Sequence, residues 1–335
     1  MRLLVTGGAG FIGSNFIRYV LGQSDDVRIT NLDLLTYAGN PASLADCEGD
    51  RYRLVQGDIC DAEAVDALMK DADAVVNFAA ESHVDRSIEG PAEFLRTNVD
   101  GAGVVFDSAR RHGVDQVLHI STDEVYGSIE EPDSFHEDDG LFPNSPYSAS
   151  KAGADLLARS YRVTYDHPIT VTRTANNFGP YHFPEKVIPL FVTNLIDGIK
   201  VPLYGDGSNI RDWTYVIDNA AAQWLVLTEG TPGEIYNVGA GAEMTNKELT
   251  YAILDRMGFG EEMITFVKDR PGHDLRYSVD TTKVRELGWA PTLSFEEALD
   301  ATIDWYRANE AWWRPLKDSG ASDRRGLDAA ESDAE

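Results

Sequence analysis

A glycine-rich turn joins the first strand-like segment of the chain to a helix. Leu3–Thr6 is apolar, as a buried strand is, and Gly7, Gly10 and Gly13 follow it at intervals of three. This spacing lets the backbone approach a pyrophosphate closely, while the amide groups and dipole at the start of the helix receive its charge. The turn therefore predicts a fold that binds a dinucleotide at its first strand-to-helix connection.

Strand-like and helix-like segments alternate through the first half of the chain. Apolar runs predict further strands at Val27–Leu32, Tyr52–Gln56, Ala74–Phe78, Val117–Ile120 and Ile169–Thr172. The stretches between them predict helices at Ala62–Lys70, Pro91–His112 and Ser148–Tyr165. This order predicts an α/β fold, a Rossmann-like doubly wound parallel sheet with helices on both faces.

The second half of the chain is less regular. Beyond about Arg173, loops that carry glycine and proline interrupt short elements, which predicts a smaller mixed α/β lobe. Ile217–Thr228 is helix-like and is expected to return to the first lobe. We expect a Rossmann lobe of residues 1–174 and 217–238, and a second lobe of residues 175–216 and 239–316. Residues 317–335 are polar and acidic, and are predicted to form a disordered tail.

The chain is strongly acidic, with 56 Asp and Glu residues against 29 Lys and Arg residues and a net charge of −27. This charge argues against nucleic acid as a partner, because phosphate binding needs a basic face. The hydrophobic content of 43% is normal, so the acidity is expected on a folded surface. Such a surface repels itself at low salt, which predicts a high-salt cytoplasm; an ordinary acidic protein is the alternative.

Two further observations bear on location. No apolar run reaches the roughly 18 residues of a membrane helix, and the N-terminus lacks a signal-peptide pattern. Cys47 and Cys60 are the only cysteines, too few for a disulfide framework or a metal cluster. We expect a cytoplasmic protein that binds neither a membrane nor a metal ion.

A carboxylate follows the second strand where it can select the cofactor. Asp33 lies 20 residues after Gly13, a position from which it can bind both hydroxyls of an adenosine ribose. It would repel a 2′-phosphate, which favours NAD+ over NADP. Asp58 follows the third strand, and it either reaches the adenine or caps the helix that begins near Ala62.

Tyr147 and Lys151 are one helical turn apart and share a face. The ammonium group is expected to lower the pKa of the tyrosine and make it a usable base. Thr122, at the end of a strand, can hydrogen-bond the same substrate oxygen. Tyr-x-x-x-Lys is common by chance, but in order after the glycine turn and Asp33 it predicts proton and hydride exchange at an alcohol. An incidental pair on a surface helix is the alternative.

Asp123 and Glu124 follow Thr122 directly, and simple alcohol oxidation does not need them. One carboxylic acid could protonate a leaving hydroxyl while the other carboxylate removes a carbon-bound proton, provided that their pKa values differ. Two solvated loop acids are the alternative. Their place beside Thr122 favours catalysis and predicts that water leaves the same substrate.

These segments resemble the extended short-chain dehydrogenase/reductase superfamily, and within its nucleotide-sugar dehydratase branch the dTDP-glucose 4,6-dehydratase family. The resemblance runs from about Arg2 to Trp312. It rests on Thr6–Gly13, Asp33 with Leu35–Asn40, Ala79–Ser87, Ser121–Gly127, Tyr147–Lys151, Asn176–Lys186, Arg211–Trp213 and Arg270–Asp274.

The resemblance implies a reaction that is redox-neutral overall. The sugar is oxidised at C4, water is lost across C5 and C6, and hydride returns to C6, which gives a 4-keto-6-deoxy sugar. Tyr147 would deprotonate the 4-hydroxyl, Glu124 would remove the C5 proton, and Asp123 would protonate the departing 6-hydroxyl. Thr122 would polarise the C4 oxygen, and Lys151 would orient the cofactor. NAD+ would stay tightly bound, because each turnover regenerates it.

The resemblance also implies two sets of binding residues. The cofactor set is Gly7, Gly10, Phe11, Ile12, Gly13, Asp33, Asp58, Ile59, Ala79, Ala80, Tyr147 and Lys151. The substrate set is Ser82, His83, Thr122, Asn177, Lys186, Arg211, Asn246, Arg270 and His273. Cationic and amide donors suit a nucleotide diphosphate, although Arg211 could instead pair with Asp212 or another acid. The family's tyrosine near the C-terminus has no counterpart after Trp313, which leaves the choice between thymine and uracil open.

Other functions share much of this pattern. A nucleotide-sugar 4-epimerase, a decarboxylase and a UDP-sugar 4,6-dehydratase would have the same cofactor site, and a non-catalytic nucleotide-sensing module would have the same fold. The Asp123–Glu124 pair favours a dehydratase over the epimerases, which lack it. The resemblance further implies a homodimer that pairs the helices near Val99–His112 and Ser148–Tyr165.

Overall fold

A parallel seven-stranded sheet is the centre of this computed structural model, which describes residues 1–269 and 273–319. The strands of the protein are β1 (Arg2–Thr6), β2 (Arg28–Asp33), β3 (Tyr52–Gln56), β4 (Ala74–Asn77), β5 (Gln116–Thr122), β6 (Ile169–Thr174), β7 (Asn176–Phe178), β8 (Val201–Tyr204), β9 (Ile210–Tyr215), β10 (Ile235–Val238), β11 (Glu243–Thr245) and β12 (Ile264–Val267). The helices are α1 (Phe11–Gln23), α2 (Ala62–Met69), α3 (Val84–Glu89), α4 (Pro91–Leu95), α5 (Ala102–His112), α6 (Pro146–Tyr165), α7 (Val187–Ile196), α8 (Val216–Glu229), α9 (Asn246–Met257), α10 (Thr282–Glu286), α11 (Phe295–Ala308) and α12 (Glu310–Asp318).

The strand order in the large sheet is β3-β2-β1-β4-β5-β6-β10. The predicted Rossmann-like α/β fold is therefore confirmed. The order reverses between β1 and β4, and the connections there leave toward opposite faces. A crevice forms at the carboxyl ends of the strands at such a switch point, and ligands of this fold bind there.

Both faces of the sheet are buried, which explains why its strands are apolar without alternation. Leu3 and Val5 of β1 pack in a core with Phe16 of α1 and Val226 of α8. Leu4, which points to the other face, packs in a second core that α2, α5 and α6 cover. The sequence of a single strand thus serves two cores.

The predicted helix over Pro91–His112 is interrupted. A π-helical turn over Arg96–Gly101 separates α4 from α5. In this turn, Asn98 donates hydrogen bonds to the Glu81 carbonyl at 3.0 Å and to the Ser150 hydroxyl at 2.8 Å. The turn therefore connects the segment after β4 to α6, at a place where a regular helix would present a different side chain.

A third core belongs to the second lobe. The small sheets β11-β9-β7 and β12-β8 pack with α7, α9, α11 and α12 around Trp213, Tyr306 and Trp313. Helix α8 leaves this lobe, packs on α1 and leads to β10 in the large sheet. Lys317, which was predicted to begin the tail, instead lies in α12 and bonds Asp197 at 2.7 Å. Residues 320–335 of the predicted tail lie outside the described residues.

Among the described helices, none combines the length and the apolar character that a bilayer crossing requires.

Phe106 provides a test of the core that α5 covers. Its side chain is fully buried, so Phe106→Ala is expected to lower the free energy of unfolding by about 3–5 kcal/mol. Phe142→Ala is the matched control, because that ring is 73% exposed and its loss leaves no cavity. Chemical denaturation of both variants measures the difference, and equal midpoints would contradict the assignment of Phe106 to the core.

Candidate active site

One large pocket, with a cavity volume of about 360 Å³, lies at the carboxyl ends of the parallel strands. The ends of β1, β2, β4, β5 and β6 all contribute to its wall. Because parallel strands end at the same edge of a sheet, residues far apart in sequence meet there. The glycine turn and the Thr122–Glu124 segment both line this pocket.

Two glycines of the turn are required by the packing of the backbone. Gly7 has a φ of +69°, and a Cβ atom there would lie 2.5 Å from the Ala79 amide nitrogen. A Cβ atom on Gly13 would lie 2.5 Å from the Gly7 carbonyl oxygen. A Cβ atom on Gly10 would lie 3.3 Å from its nearest neighbour, so the packing of the chain does not by itself require glycine at this position. The close approach of a ligand is the remaining reason for glycine there.

The start of α1 is open toward the pocket. Gly10 occupies the cap position, and no side chain caps the helix. The amide groups of the first turn, which includes Phe11, Ile12 and Gly13, have no intrahelical acceptors, and these residues line the pocket. An uncapped helix start with adjacent glycines fits a pyrophosphate, whose charge the amide groups and the helix dipole would receive.

Asp33 is fixed at the end of β2 by two backbone amides. Its carboxylate accepts hydrogen bonds from the Ala9 and Leu35 amides, both at 2.8 Å. Burial raises the pKa of Asp33, and the two amide donors oppose this shift. The two amides hold the carboxylate in place in the pocket wall. Its remaining lone pairs can accept hydrogen bonds from ribose hydroxyls.

Asp58 does not cap the helix that follows it. The cap of α2 is Asp61, which accepts hydrogen bonds from the Glu63 and Ala64 amides. Asp58 instead forms an ion pair with Arg96 at 2.6 Å. Burial alone would raise the pKa of Asp58, but the Cys60 amide and Arg96 outweigh it and the pKa is lowered. The helix-cap alternative is therefore wrong, and Asp58 lines the pocket together with Ile59.

The five residues predicted to be catalytic lie in the same pocket: Thr122, Asp123, Glu124, Tyr147 and Lys151. Strand β5 ends at Thr122, whose hydroxyl caps the 3-10 turn over Asp123–Tyr126 by accepting from the Glu124 amide. Helix α6 begins at Pro146 after a capping box of Ser145 and Ser148. The two caps thus determine where the acidic pair and the Tyr-x-x-x-Lys face meet.

The pKa of Tyr147 differs from the expectation. It is raised, first by burial and next by Glu124, while a hydrogen bond with Thr122 opposes the shift. Lys151 does not offset this, because its ammonium group donates to the Ile120 carbonyl at 2.6 Å. Burial lowers the pKa of Lys151 to about 8. The predicted lowering of the Tyr147 pKa by Lys151 is therefore wrong for this arrangement of the pocket.

Asp123 is not a solvated loop acid. Its side chain is 3% exposed, and burial, with the neighbouring Glu124, raises its pKa to about 8, against the opposing charge of Arg211. One carboxylate oxygen accepts from the Thr122 hydroxyl at 3.2 Å, and the other has no hydrogen-bond partner among the described residues. The arrangement therefore favours the neutral form of Asp123, whereas Glu124 is only partly buried.

Four residues of the predicted substrate set line the pocket: Ser82, Thr122, Asn177 and Lys186. Lys186 donates to the Ser82 carbonyl at 3.4 Å, and Asn177 donates to the Ala175 carbonyl at 2.9 Å. His83 occupies the cap position before α3 and lies 3.7 Å from the Glu185 carboxylate, and it is not part of the pocket wall.

Three further substrate residues, Arg211, Asn246 and His273, lie outside the pocket wall. Arg211 donates to the Asp274 carbonyl at 2.9 Å, and its guanidinium lies 4.2 Å from the centre of the Tyr277 ring. Asp212 accepts from the Gly241 and Ala242 amides instead, so the alternative of an Arg211–Asp212 pair is wrong. Asn246 is the first residue of α9, and His273 bonds Asp269 at 2.7 Å. Arg270 lies outside the described residues.

A segment that was not predicted as part of the site crosses the start of α1. This strap, residues Gly179–Phe183, stacks His182 on Phe11 with ring centres 3.9 Å apart. Tyr181, at a φ of +65°, contacts Trp305 and Trp312. The Asn176–Lys186 string contains the whole strap, but nothing in it indicated that the strap covers the start of α1. Trp312 also lines the pocket and donates a hydrogen bond to Ser43. No local sequence pattern indicated that it belongs to the site, because it lies more than a hundred residues after the strap.

Comparison with known proteins agrees with this arrangement. The family model described as GDP-mannose 4,6 dehydratase matches residues 4–302. A low-salt glycan biosynthesis protein, Agl12, of Haloferax volcanii is 55% identical over 92% of this chain and all of its own. A dTDP-glucose 4,6-dehydratase of Streptomyces antibioticus is 54% identical over 95% of this chain and 96% of its own. The chain belongs to the GDP-mannose 4,6 dehydratase family.

Solved structures give the same grouping. The crystal structure of DesIV, a dTDP-glucose 4,6-dehydratase of Streptomyces venezuelae with NAD and dTDP bound, is 52% identical with a TM-score of 0.92. It covers 94% of this chain and 100% of its own. A UDP-glucose 4-epimerase of Thermus thermophilus in complex with NAD is 30% identical with a TM-score of 0.85, over 92% of this chain and 100% of its own.

The raised pKa of Asp123 predicts a stability difference that depends on pH. An acid whose pKa is raised from about 3.8 to about 8 by folding makes the folded state less stable as the pH rises between those values. Asp123→Asn removes this ionisation. Its stability relative to the unmodified protein should therefore increase from pH 4 to pH 8 and stay level above. Thermal unfolding over this range measures the difference, and a constant difference would contradict a buried neutral acid.

Proposed function

We propose that this chain is an NAD-dependent dTDP-glucose 4,6-dehydratase, which converts dTDP-glucose to dTDP-4-keto-6-deoxyglucose and water. The observation that carries the proposal is the neutral acid Asp123 beside Glu124, in the same pocket as Tyr147 and Lys151. An enzyme that only moves hydride at an alcohol has no use for that acid. The near-identical length and fold of the dehydratase relatives support the same activity.

The residues present fit NAD+ as the cofactor. The open start of α1 would hold the pyrophosphate, Asp33 the adenosine ribose, and Asp58 with Ile59 the adenine end. Ala79 and Ala80, which follow β4, also line the pocket. When bound, NAD+ supplies the acceptor and donor of hydride, and its positive ring favours the ionised phenol of Tyr147.

The first task of the protein is to deprotonate the 4-hydroxyl of the sugar. Tyr147 takes this proton, and the Thr122 hydroxyl holds the same oxygen by a hydrogen bond. Lys151 lies on the same helix face, where it orients the cofactor ribose. Burial of all three side chains excludes water from the reacting oxygen.

The second task is the loss of water across C5 and C6. The 4-keto group makes the C5 proton acidic, and Glu124 removes it. Asp123 donates its proton to the departing 6-hydroxyl, which leaves as water. The roles differ because burial keeps Asp123 neutral, whereas Glu124 has more contact with solvent.

The second lobe would hold the nucleotide. Arg211, Asn246, Arg270 and His273 are proposed to contact the base and diphosphate. Ser82, His83, Asn177 and Lys186 are proposed to contact the sugar.

Incubation with dTDP-glucose and UDP-glucose in parallel, with product analysis by NMR, tests the proposed activity. A 4-keto-6-deoxy product from dTDP-glucose supports it, whereas dTDP-galactose would indicate a 4-epimerase and no product a sensing module.

Glu124→Gln tests the base directly. The amide cannot take the C5 proton, so we expect turnover to fall by about 100-fold or more while NAD+ binding is retained. Glu130→Gln is the matched control, since this exposed residue lies six positions further along the chain and outside the pocket. Exchange of the C5 proton with deuterated solvent is the measurement. Unchanged exchange in Glu124→Gln would refute its assigned role.

We further propose a cytoplasmic homodimer adapted to high salt. Leu95 on α4 and both Leu156 and Val163 on α6 are more than half exposed, as expected for a face that a second copy covers. The net charge of −27 would make the folded state depend on screening. The light-scattering mass in high salt should be twice that of the chain, and Leu156→Arg should reduce it to one chain. A monomer in high salt would contradict the homodimer. Full stability in salt-free buffer would contradict the adaptation to high salt.

A further inference from the structure

Arg173 lies on β6 and bonds two other parts of the fold. Its guanidinium forms an ion pair with Asp155 of α6 at 2.9 Å. The same guanidinium donates a hydrogen bond to the Tyr126 hydroxyl at 2.7 Å. All three side chains are buried, so these bonds are made away from water. The wall of the candidate active site contains none of the three, so any effect on the reaction is exerted through other residues.

Tyr126 connects Arg173 to the acidic pair. It is the last residue of the 3-10 turn over Asp123–Tyr126, which carries both carboxylates. Its hydroxyl accepts from Arg173 and donates to the side-chain carbonyl of Asn237 at 2.8 Å. A phenol can accept and donate at the same time, so one arrangement satisfies both bonds. The turn is therefore held at its start by β5 and at its end by the Tyr126 hydroxyl.

Asp155 connects Arg173 to the helix that acts on the 4-hydroxyl. It lies on α6 one helical turn after Lys151 and two turns after Tyr147, so the three side chains share a face. The loop between the turn and α6 is bonded as well, because the Glu137 carbonyl accepts from Arg173 at 3.1 Å. One guanidinium therefore bonds the turn, the loop and the helix.

We propose that Arg173 is a positioning residue for the loss of water, which holds the turn of the acidic pair in place against the helix that carries Tyr147. The proposal rests on the proposed function and adds a residue that the sequence did not indicate. In this step the C5–H bond breaks, an O–H bond forms on Glu124, and the electron pair left on C5 forms the C5–C6 double bond. The C6–O bond breaks as Asp123 protonates the departing oxygen. Groups on the turn and on the helix must reach one sugar together, so their relative position limits this step.

The two tasks of the enzyme should respond differently when the turn is released. Oxidation at C4 depends on Tyr147 of α6 and on Thr122, which belongs to β5 in the large sheet. Water loss depends in addition on the turn beyond Thr122, whose far end the Tyr126 hydroxyl holds. Release of this end should therefore slow water loss more than C4 oxidation, and NADH should accumulate between the two steps. A purely structural role would lower both rates, or the amount of folded protein, alike.

Tyr126→Phe tests the link to the turn. This variant keeps the ring, which stacks on Phe135 with ring centres 4.9 Å apart, and it leaves the Arg173–Asp155 ion pair in place. The NAD+-loaded protein is mixed rapidly with dTDP-glucose, and the absorbance of NADH is followed. We expect NADH formation to stay within about 3-fold and its decay to slow by about 10-fold. Tyr161→Phe, the same change on α6 and outside the pocket wall, is the matched control and should alter neither rate.

Joint replacement of the ion pair shows whether the phenol acts through Arg173. Arg173→Met combined with Asp155→Leu removes both charges at once, so neither is left buried without its partner. This double variant should also slow the decay of NADH by about 10-fold, and adding Tyr126→Phe should then cost less than about 3-fold more. Tyr126→Phe carries the test by itself if the double variant does not fold.

Three results would overturn the proposal: a normal decay of NADH in Tyr126→Phe, equal slowing of NADH formation and decay, or additive losses in the combined variant. Failure of the unmodified protein to dehydrate dTDP-glucose would instead refute the proposed function.

Discussion

Close contact between backbones at the first turn is the constraint on which the rest of the site depends. Gly7 lies against Ala79, and Gly13 lies against Gly7, at distances that no side chain allows. This contact brings the connections after β1 and β4 together and directs the start of α1 into the crevice between them. The pocket, the open helix start and the approach to the acidic pair all follow from it. A Cβ atom at Gly7 would push the ends of β1 and β4 apart, even with no ligand in the pocket.

The hydrogen-bond partners of the buried cations Lys151 and Arg211 influence the protonation of the acids in the pocket. In a chain with net charge −27, the buried Lys151 and Arg211 both donate hydrogen bonds to backbone carbonyls. Burial and the neighbouring Glu124 raise the pKa of Asp123 to about 8, and the charge of Arg211 opposes this shift without cancelling it. A direct ion pair would have held Asp123 ionised and removed the acid that water loss requires. The placement of carbonyl acceptors is therefore as important to this chemistry as the carboxylates.

The sequence was sufficient for features encoded by short, local patterns. The glycine turn, Asp33, the Tyr147–Lys151 spacing and the first six strands each depend on neighbours within a few residues, and their positions followed from periodicity. Features that depend on distant partners did not follow. Asp61 rather than Asp58 caps α2, because capping depends on backbone geometry at the exact helix start. Lys151 bonds the Ile120 carbonyl because β5 and α6 meet in space, and no local pattern indicates such a contact.

The strap over α1 shows how far apart in the chain the walls of one pocket can be. Phe11 is among the first residues, whereas Trp305 and Trp312, which hold Tyr181 in place, are near the end of the described chain. During synthesis on the ribosome, the glycine turn emerges long before the helices that complete its cover. The cofactor pocket therefore cannot reach its final shape until nearly the whole chain has been released. A chain that ended before α11 would lack both tryptophans that contact Tyr181 of the strap.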